Sequence, residues 1–100
     1  GMKNTETTRP FESSEIGTPR DYTDNLYRVY FELPDPDGLA GKIIADFVGP
    51  ERACAILRLA HGYETELPIQ CIPEIVRLLA LQNLSVYQVV RYAKSGGVWV

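Results

Sequence analysis

Residues 51–70 consist of two apolar runs on either side of Ala60-His61-Gly62. After Gly62, apolar and polar residues alternate, which is typical of a strand with one buried face. The segment therefore predicts a β-hairpin with a three-residue loop. That loop places Gly62 where a positive φ is needed, which glycine adopts at little cost. A competing interpretation is a helix over residues 51–60 that ends at Gly62.

The loop length also decides which residues of the hairpin face one another, because a slip of one residue moves every side chain to the other face. The pairs expected on the buried face are Leu59 with Tyr63, Leu57 with Thr65, and Ala55 with Leu67. The pairs expected on the opposite face are Arg58 with Glu64 and Ile56 with Glu66.

The first part of the chain predicts a strand followed by a helix. Aromatic and β-branched residues favour a strand over 26–33. The helix is expected over 38–48, because Gly49-Pro50 is a strong stop signal. The buried faces are expected to contain Tyr27, Val29, Phe31 and Leu33 of the strand and Ala40, Ile43, Ile44 and Phe47 of the helix.

The part after the hairpin predicts a second helix and a last strand. Pro73 is expected at the first position of a helix that runs to about residue 83, and a strand is expected over 84–92. Ser95-Gly96-Gly97 is then expected to be a linker before a short strand over 98–100. Because proline removes a donor from the ladder, we expect the third strand to end or bulge at Pro68.

The resulting order β-α-β-β-α-β is that of the ferredoxin-like plan. The predicted fold class is therefore α+β, a ferredoxin-like antiparallel sheet with two helices on one face. The predicted domain covers 26–93, after an irregular polar arm over 1–25 and before an extension over 94–100. Gly1 ahead of Met2 is typical of an expression tag, so we expect the native sequence to begin at Met2.

Composition narrows the classes of function. A chain of 100 residues suffices for one small domain, and a net charge of −3 with dispersed Lys and Arg argues against nucleic-acid binding. No apolar run approaches the ~20 residues of a membrane span and no signal peptide is recognisable, so we expect a cytoplasmic protein without membrane contact. The spacing of Cys54 and Cys71 and the single histidine, His61, predict no disulfide, metal or cofactor.

The turn Asp35-Pro36-Asp37-Gly38 is the strongest candidate for a small-molecule site. It lies between the first strand and a helix N-terminus, whose free amides attract anions such as a carboxylate. Asp35 or Asp37 would then hold the ammonium group of the same ligand. The alternative is that Asp37 only caps the helix and the prolines stiffen the turn.

Residues 34–43 (Pro-Asp-Pro-Asp-Gly-Leu-Ala-Gly-Lys-Ile) resemble the strand–turn–helix segment of ACT domains. In that family an Asp-x-Pro-Gly-like turn, followed by Leu and a spaced Ile, opens the first helix. The resemblance implies a ferredoxin-like regulatory module that pairs with a second copy and binds an amino acid at this turn. The ligand-binding residues implied are Asp35, Asp37 and Gly38.

Apolar and aromatic residues at predicted surface positions indicate a homodimer. The sheet face opposite the helices combines Tyr, Arg and aliphatic residues, a mixture typical of interfaces. Trp99 is too large an apolar side chain to be left exposed. The predicted interface residues are Arg28, Tyr30, Ile56, Arg58, Leu78, Leu81 and Trp99. The alternative is that the arm covers this face within one chain.

The sequence contains no recognisable Ser/His/Asp order, Cys-x-x-Cys pair or glycine-rich phosphate loop. We therefore predict a non-catalytic, self-associating regulatory module that binds a small amino-acid-like ligand at the first strand–helix turn. The alternative is a small cofactor-free enzyme of the dimeric α/β-barrel type, with a pocket between helices and sheet. Its acid–base groups would come from Tyr27, Tyr63 and His61.

Overall fold

The structure is a computed structural model that describes residues 25–98. Its elements are strand β1 (Asn25–Glu32), helices α1 (Leu39–Val48) and α2 (Pro50–Ala53), strands β2 (Leu57–Leu59) and β3 (Gly62–Leu67), helix α3 (Cys71–Leu81) and strand β4 (Gln88–Val98). The predicted arm up to residue 24 and the predicted interface residue Trp99 lie outside the described residues.

Within residues 25–98, the strands form one open antiparallel sheet in the order β2-β3-β1-β4. The α+β class predicted from the sequence is confirmed. β1 occupies an inner position, paired with β3 on one side and β4 on the other. None of the described helices is long and apolar enough to cross a membrane.

The core lies between one face of the sheet and the two longer helices. Alternate residues of β1 point into it, as expected for a strand with a period of two. Residues spaced three or four apart on each helix meet them, because that spacing places side chains on one helical face. The buried cluster contains Tyr27, Val29, Phe31, Ala40, Ile44, Ile75 and Leu79. This confirms the predicted inner face of β1 and the predicted burial of Ala40 and Ile44 on α1.

The hairpin interpretation of residues 51–70 is confirmed, but its register was wrong. Leu59 is opposite Gly62, Arg58 opposite Tyr63 and Leu57 opposite Glu64, so the loop contains only two residues. The helix interpretation holds only for α2, which ends at Ala53.

The conformation predicted for Gly62 was also wrong, since Gly62 does not have a positive φ. The reason for glycine is a close contact between strands instead. A Cβ built on Gly62 would lie 1.9 Å from the carbonyl oxygen of Phe31 on the neighbouring strand. Glycine is therefore required here because any side chain would clash with the neighbouring strand, and not because the backbone needs a special conformation.

The new register reverses the two faces of β2. Arg58 now lies on the helix side, because it is paired with the buried Tyr63. Leu57 and Leu59 lie on the open face, where they are 48% and 40% exposed. Ile56 packs against the core cluster. The predicted placement of Ile56 and Arg58 on the open face was therefore wrong.

The last strand differs from its prediction at both ends. β4 begins at Gln88 and continues to Val98 as a single strand, so Ser95-Gly96-Gly97 is not a linker. The register with β1 shifts twice, between Asn25 and Val29, and Gly96 has a φ of +87°. Glycine in an irregular strand supplies a conformation that other residues rarely adopt.

Two proline predictions have different outcomes. β3 ends at Leu67, directly before Pro68, as expected for a residue that cannot donate to the ladder. Helix α3 begins at Cys71, so Pro73 is its third residue rather than its first. The third position is still within the first turn, where the missing N–H has no intrahelical acceptor.

Candidate functional site

A pocket of about 300 Å³ opens at the first strand–helix turn. Its walls come from the end of β1 and the following turn, from the hairpin of β2 and β3, and from the residue before β4. The polar and aromatic residues that line it are Glu32, Asp35, Arg58, His61, Tyr63 and Tyr87. The sheet order brings these separate parts of the chain together, because β1 lies beside both β3 and β4.

Asp35 caps the N-terminus of α1 from within the turn. Its Oδ1 accepts a hydrogen bond from the Ala40 amide at 2.9 Å, and its Oδ2 accepts one from the Gly41 amide at 3.0 Å. Asp35 is buried, with 7% of its surface exposed. The carboxylate therefore satisfies two of the amides that a helix leaves unpaired at its start.

Tyr63 and Arg58 continue this network across the hairpin. The Tyr63 hydroxyl donates to Asp35 Oδ2 at 2.5 Å. Arg58 donates to the Tyr63 hydroxyl at 2.6 Å and to the Asp35 carbonyl oxygen at 3.1 Å. Its guanidinium carbon lies 4.9 Å from the centre of the Tyr63 ring, within the range of a cation–π contact. Arg58 is thus held at the pocket by its cross-strand partner and by the turn.

The protonation states of the pair follow from these contacts. Burial is the largest single influence on Asp35 and would raise its pKa. The hydrogen bonds from Tyr63, Ala40 and Gly41, with the charge of Arg58, together outweigh burial and lower the pKa of Asp35. Burial and the hydrogen bond to Asp35 raise the pKa of Tyr63. At neutral pH the pair is therefore a carboxylate and a protonated phenol.

Gly41 makes the network possible and is the sequence signal that was missed. A Cβ on Gly41 would lie 2.7 Å from the Tyr63 hydroxyl oxygen. Glycine inside a helix is unfavourable by about 1 kcal/mol relative to alanine, so its presence often marks a close contact. A glycine within the helix indicates that another residue packs closely against α1, but it does not show that this residue is Tyr63.

The predicted ligand residues are adjacent in sequence but have different surroundings. Asp35 lines the pocket, whereas its carboxylate is occupied by the helix amides and Tyr63. Asp37 is exposed. Gly38 precedes α1 with a φ of +79°. The suggestion that Asp37 caps the helix was wrong, since Asp35 supplies both side-chain bonds. Ligand binding by these residues stays a prediction.

The predicted interface residues fall into three groups. Arg28 and Tyr30 lie on the open face, where Arg28 donates to Glu64 at 2.6 Å. Ile56 packs against the core cluster, and Arg58 lies on the helix side of the sheet. On α3, Leu78 is half-buried and Leu81 is exposed. The open face also receives Leu57 and Leu59, which the predicted register had placed inside. Association through these residues stays a prediction.

Of the acid–base groups suggested for an enzyme, Tyr63 and His61 line the pocket. Tyr27 does not, because it is buried in the core. Cys71 is a free thiol whose pKa is raised by burial and next by Glu74, so the activated thiol that a helix N-terminus can produce is not seen there. Among residues 25–98, no three His, Cys, Asp or Glu side chains lie close enough together to hold a metal ion.

Comparison of the chain with protein-family models, with curated proteins and with solved structures gave no significant match. The ACT-like resemblance of residues 34–43 therefore stays a prediction.

Proposed function

We propose that this chain is a non-catalytic, self-associating module that binds a small amino-acid-like ligand in the pocket at the first strand–helix turn. The fold we propose for it is ferredoxin-like, with the ACT-like character that residues 34–43 imply. The order β2-β3-β1-β4 supports this, since β1 and β2 are joined through α1 and separated in the sheet by β3. Such a separation is what a split βαβ unit requires.

The observation that carries the proposal is a small pocket at the first strand–helix turn with a charged side chain on its wall. Arg58 lines this pocket of about 300 Å³ from the helix side of the sheet. Glu32 also borders the pocket, but its side chain alternates with the buried Phe31 and therefore lies on the open face. An amino acid carries a carboxylate, which matches Arg58 in sign. Pockets of this volume suit small ligands.

The experiment is a thermal-shift screen of the full chain against the amino acids, followed by ¹H–¹⁵N NMR titration of any hit. A ligand at 100 times its Kd stabilises the folded state by about 2.7 kcal/mol, which raises Tm measurably. We expect Tyr87→Ala, in the lining of the pocket, to weaken binding, whereas Glu74→Gln, on the exposed surface of α3, leaves it unchanged. Absence of any Tm shift or pocket perturbation contradicts the proposal.

Self-association is proposed through the open face of the sheet, with a second copy as its occupant. Leu57 and Leu59 stand on that face beside the Arg28–Glu64 ion pair, so apolar contacts and charges of both signs are available to a symmetry-related copy. An antiparallel sheet can leave one face to water, but exposed adjacent leucines favour contact with another apolar surface.

The enzyme alternative is favoured by one observation, the presence of His61 and Tyr63 in the same pocket. The Tyr63 hydroxyl, however, already donates to Asp35 and accepts from Arg58, and its pKa is raised. It is therefore poorly suited to act as a base, and binding is the better-supported function. Recovery of a ligand unchanged after prolonged incubation supports binding, whereas its conversion supports the enzyme.

A further inference from the structure

We infer that the pocket receives the oxyanion of its ligand, a carboxylate or a phosphate, on Arg58 of β2 with His61 beside it. This inference rests on the proposed function, since it assigns the chemistry of one end of the same site. The sequence predicted that an anion would bind the amides at the helix N-terminus. The present inference places the anion at the hairpin instead.

The helix amides are not the anion site because the chain already fills them. The Ala40 and Gly41 amides donate to Asp35 at 2.9 and 3.0 Å. The same carboxylate accepts the Tyr63 hydroxyl. A ligand carboxylate would have to displace Asp35, which is buried and held by three donors. The N-terminus of α1 is thus committed to its own aspartate.

Arg58 is held in place by acceptors that do not neutralise it. Its two hydrogen bonds go to a hydroxyl oxygen and to a backbone carbonyl oxygen, at 2.6 and 3.1 Å. A guanidinium has five N–H donors, so further donors stay available. Within residues 25–98, Arg58 makes no ion pair with a carboxylate.

The charge at the Arg58 end of the pocket is also favourable for an anion. A helix N-terminus contributes about half a positive charge, and Arg58 contributes a full one. Asp35 offsets one of these charges, which leaves roughly half a positive charge in this cluster. A planar guanidinium fixed on an aromatic ring is well suited to bind two oxygens of one carboxylate or phosphate.

His61 and Tyr87 complete this end of the site. His61 is at the tip of the hairpin, and its backbone carbonyl accepts the Leu33 amide at 3.0 Å, so the loop is tied to β1. An imidazole provides an N–H donor in either tautomer. Tyr87 donates its amide to the Glu32 carbonyl at 2.8 Å, yet the residue is 74% exposed. Its ring is an aromatic wall that a bound ligand can cover.

The test is a ¹H–¹⁵N NMR titration of the full chain with three probes: benzoate, phenyl phosphate and the neutral benzamide. Benzamide matches benzoate in shape but lacks its charge. We expect benzoate or phenyl phosphate to perturb Arg58, Gly62 and Tyr87 with a Kd near 1 mM, about −4.1 kcal/mol. Benzamide is expected to bind at least tenfold more weakly. The tighter of the two anions identifies a carboxylate or a phosphate as the source.

A pair of arginine variants supplies the control. Arg58→Gln is expected to weaken binding of the anion at least tenfold, and Arg58→Lys to restore part of it. Arg91→Gln is the matched control, because Arg91 also lies over a tyrosine ring, 5.1 Å from the centre of Tyr27. Arg91 does not line the pocket, so this variant is expected to bind as the wild type does.

The two proposals fail in different ways. Equal affinity for benzoate and benzamide, or full affinity in a folded Arg58→Gln variant, overturns the oxyanion assignment and leaves ligand binding standing. If Arg58→Gln does not fold, the comparison of the three probes on the wild type still decides the matter. If no probe and no amino acid perturbs the pocket, the proposed function is wrong and the oxyanion assignment falls with it.

Discussion

Gly41 on α1 and Tyr63 on β3 are so close that no side chain fits between them. A Cβ at position 41 would lie 2.7 Å from the Tyr63 hydroxyl oxygen and 2.9 Å from Cζ. The contact places that hydroxyl beside the start of α1, within reach of both Asp35 and Arg58. The lack of a side chain at Gly41 therefore determines where the network around the pocket forms.

Gly41→Ala is expected to destabilise the fold by about 1 kcal/mol, because Tyr63 must move and its hydrogen bond to Asp35 weakens. In an unconstrained helix the same change would stabilise by about 1 kcal/mol. Urea unfolding measures the difference. The control is Gly41→Ala in a Tyr63→Leu background, where the clash is absent and alanine should stabilise. Stabilisation in the wild type would contradict the contact.

We expect Asp35 to make the free energy of unfolding depend on pH in the acidic range. Its folded-state pKa is lowered, so its contribution is fully present above the unfolded value of about 3.9. It is lost as the pH falls through the folded-state pKa. Asp35→Asn should therefore be less stable than the wild type at pH 7, with the gap narrowing below about pH 4.

Urea unfolding at pH 7, 5 and 3 measures the effect of Asp35→Asn. The matched control is Asp46→Asn on the exposed side of α1, which should change the free energy of unfolding at pH 7 much less than Asp35→Asn does. A constant gap across this range would mean that the Asp35 carboxylate does not have a lowered pKa.

Gly62→Ala is expected to cost about 3 kcal/mol or more, because a Cβ would overlap the Phe31 carbonyl oxygen and separate two inner strands. Gly96→Ala is the matched control, since Gly96 has a positive φ but open space around its Cβ position. Its cost should be about 1 kcal/mol, from backbone strain alone. Thermal or urea unfolding compares them, and equal costs would contradict the close approach of β3 to β1.

These glycines show where sequence reasoning succeeded and failed. The alternation after Gly62 is a local pattern, and it correctly predicted a hairpin. The register depends on the distance between Gly62 and Phe31, which belong to strands far apart in sequence. Turn chemistry suggested a positive φ, but packing against the neighbouring strand was the actual constraint.

The site was only partly predictable for the same reason. The turn at Asp35 could be recognised because a strand, prolines and a helix start occur together. Its partners could not, since Tyr63 and Arg58 are 28 and 23 residues away. Their position depends on the hairpin register, which places Arg58 opposite Tyr63 on the helix side.

Homodimerisation gives a fourth prediction. At roughly 100 µM, well above a micromolar Kd, light scattering is expected to give the mass of a dimer. Replacing Leu57 and Leu59 together by Ser should yield a monomer, because both leucines lose their apolar contact surface on the open face. Leu39→Ser on α1 is the control and should leave the dimer intact. A monomeric wild type would contradict the prediction.

The inner position of β1 has a consequence for the order in which the sheet can form. Its partners come from distant parts of the chain, as in the pairs Tyr27–Leu67 and Asn25–Val98. Among the described strands, only β2 and β3 are close in sequence, and β2 has three residues, too few for a hairpin to persist alone. We therefore expect folding on the millisecond-to-second scale rather than in microseconds. The amides of β1 should be the last to exchange with deuterium, opening only when the whole sheet unfolds.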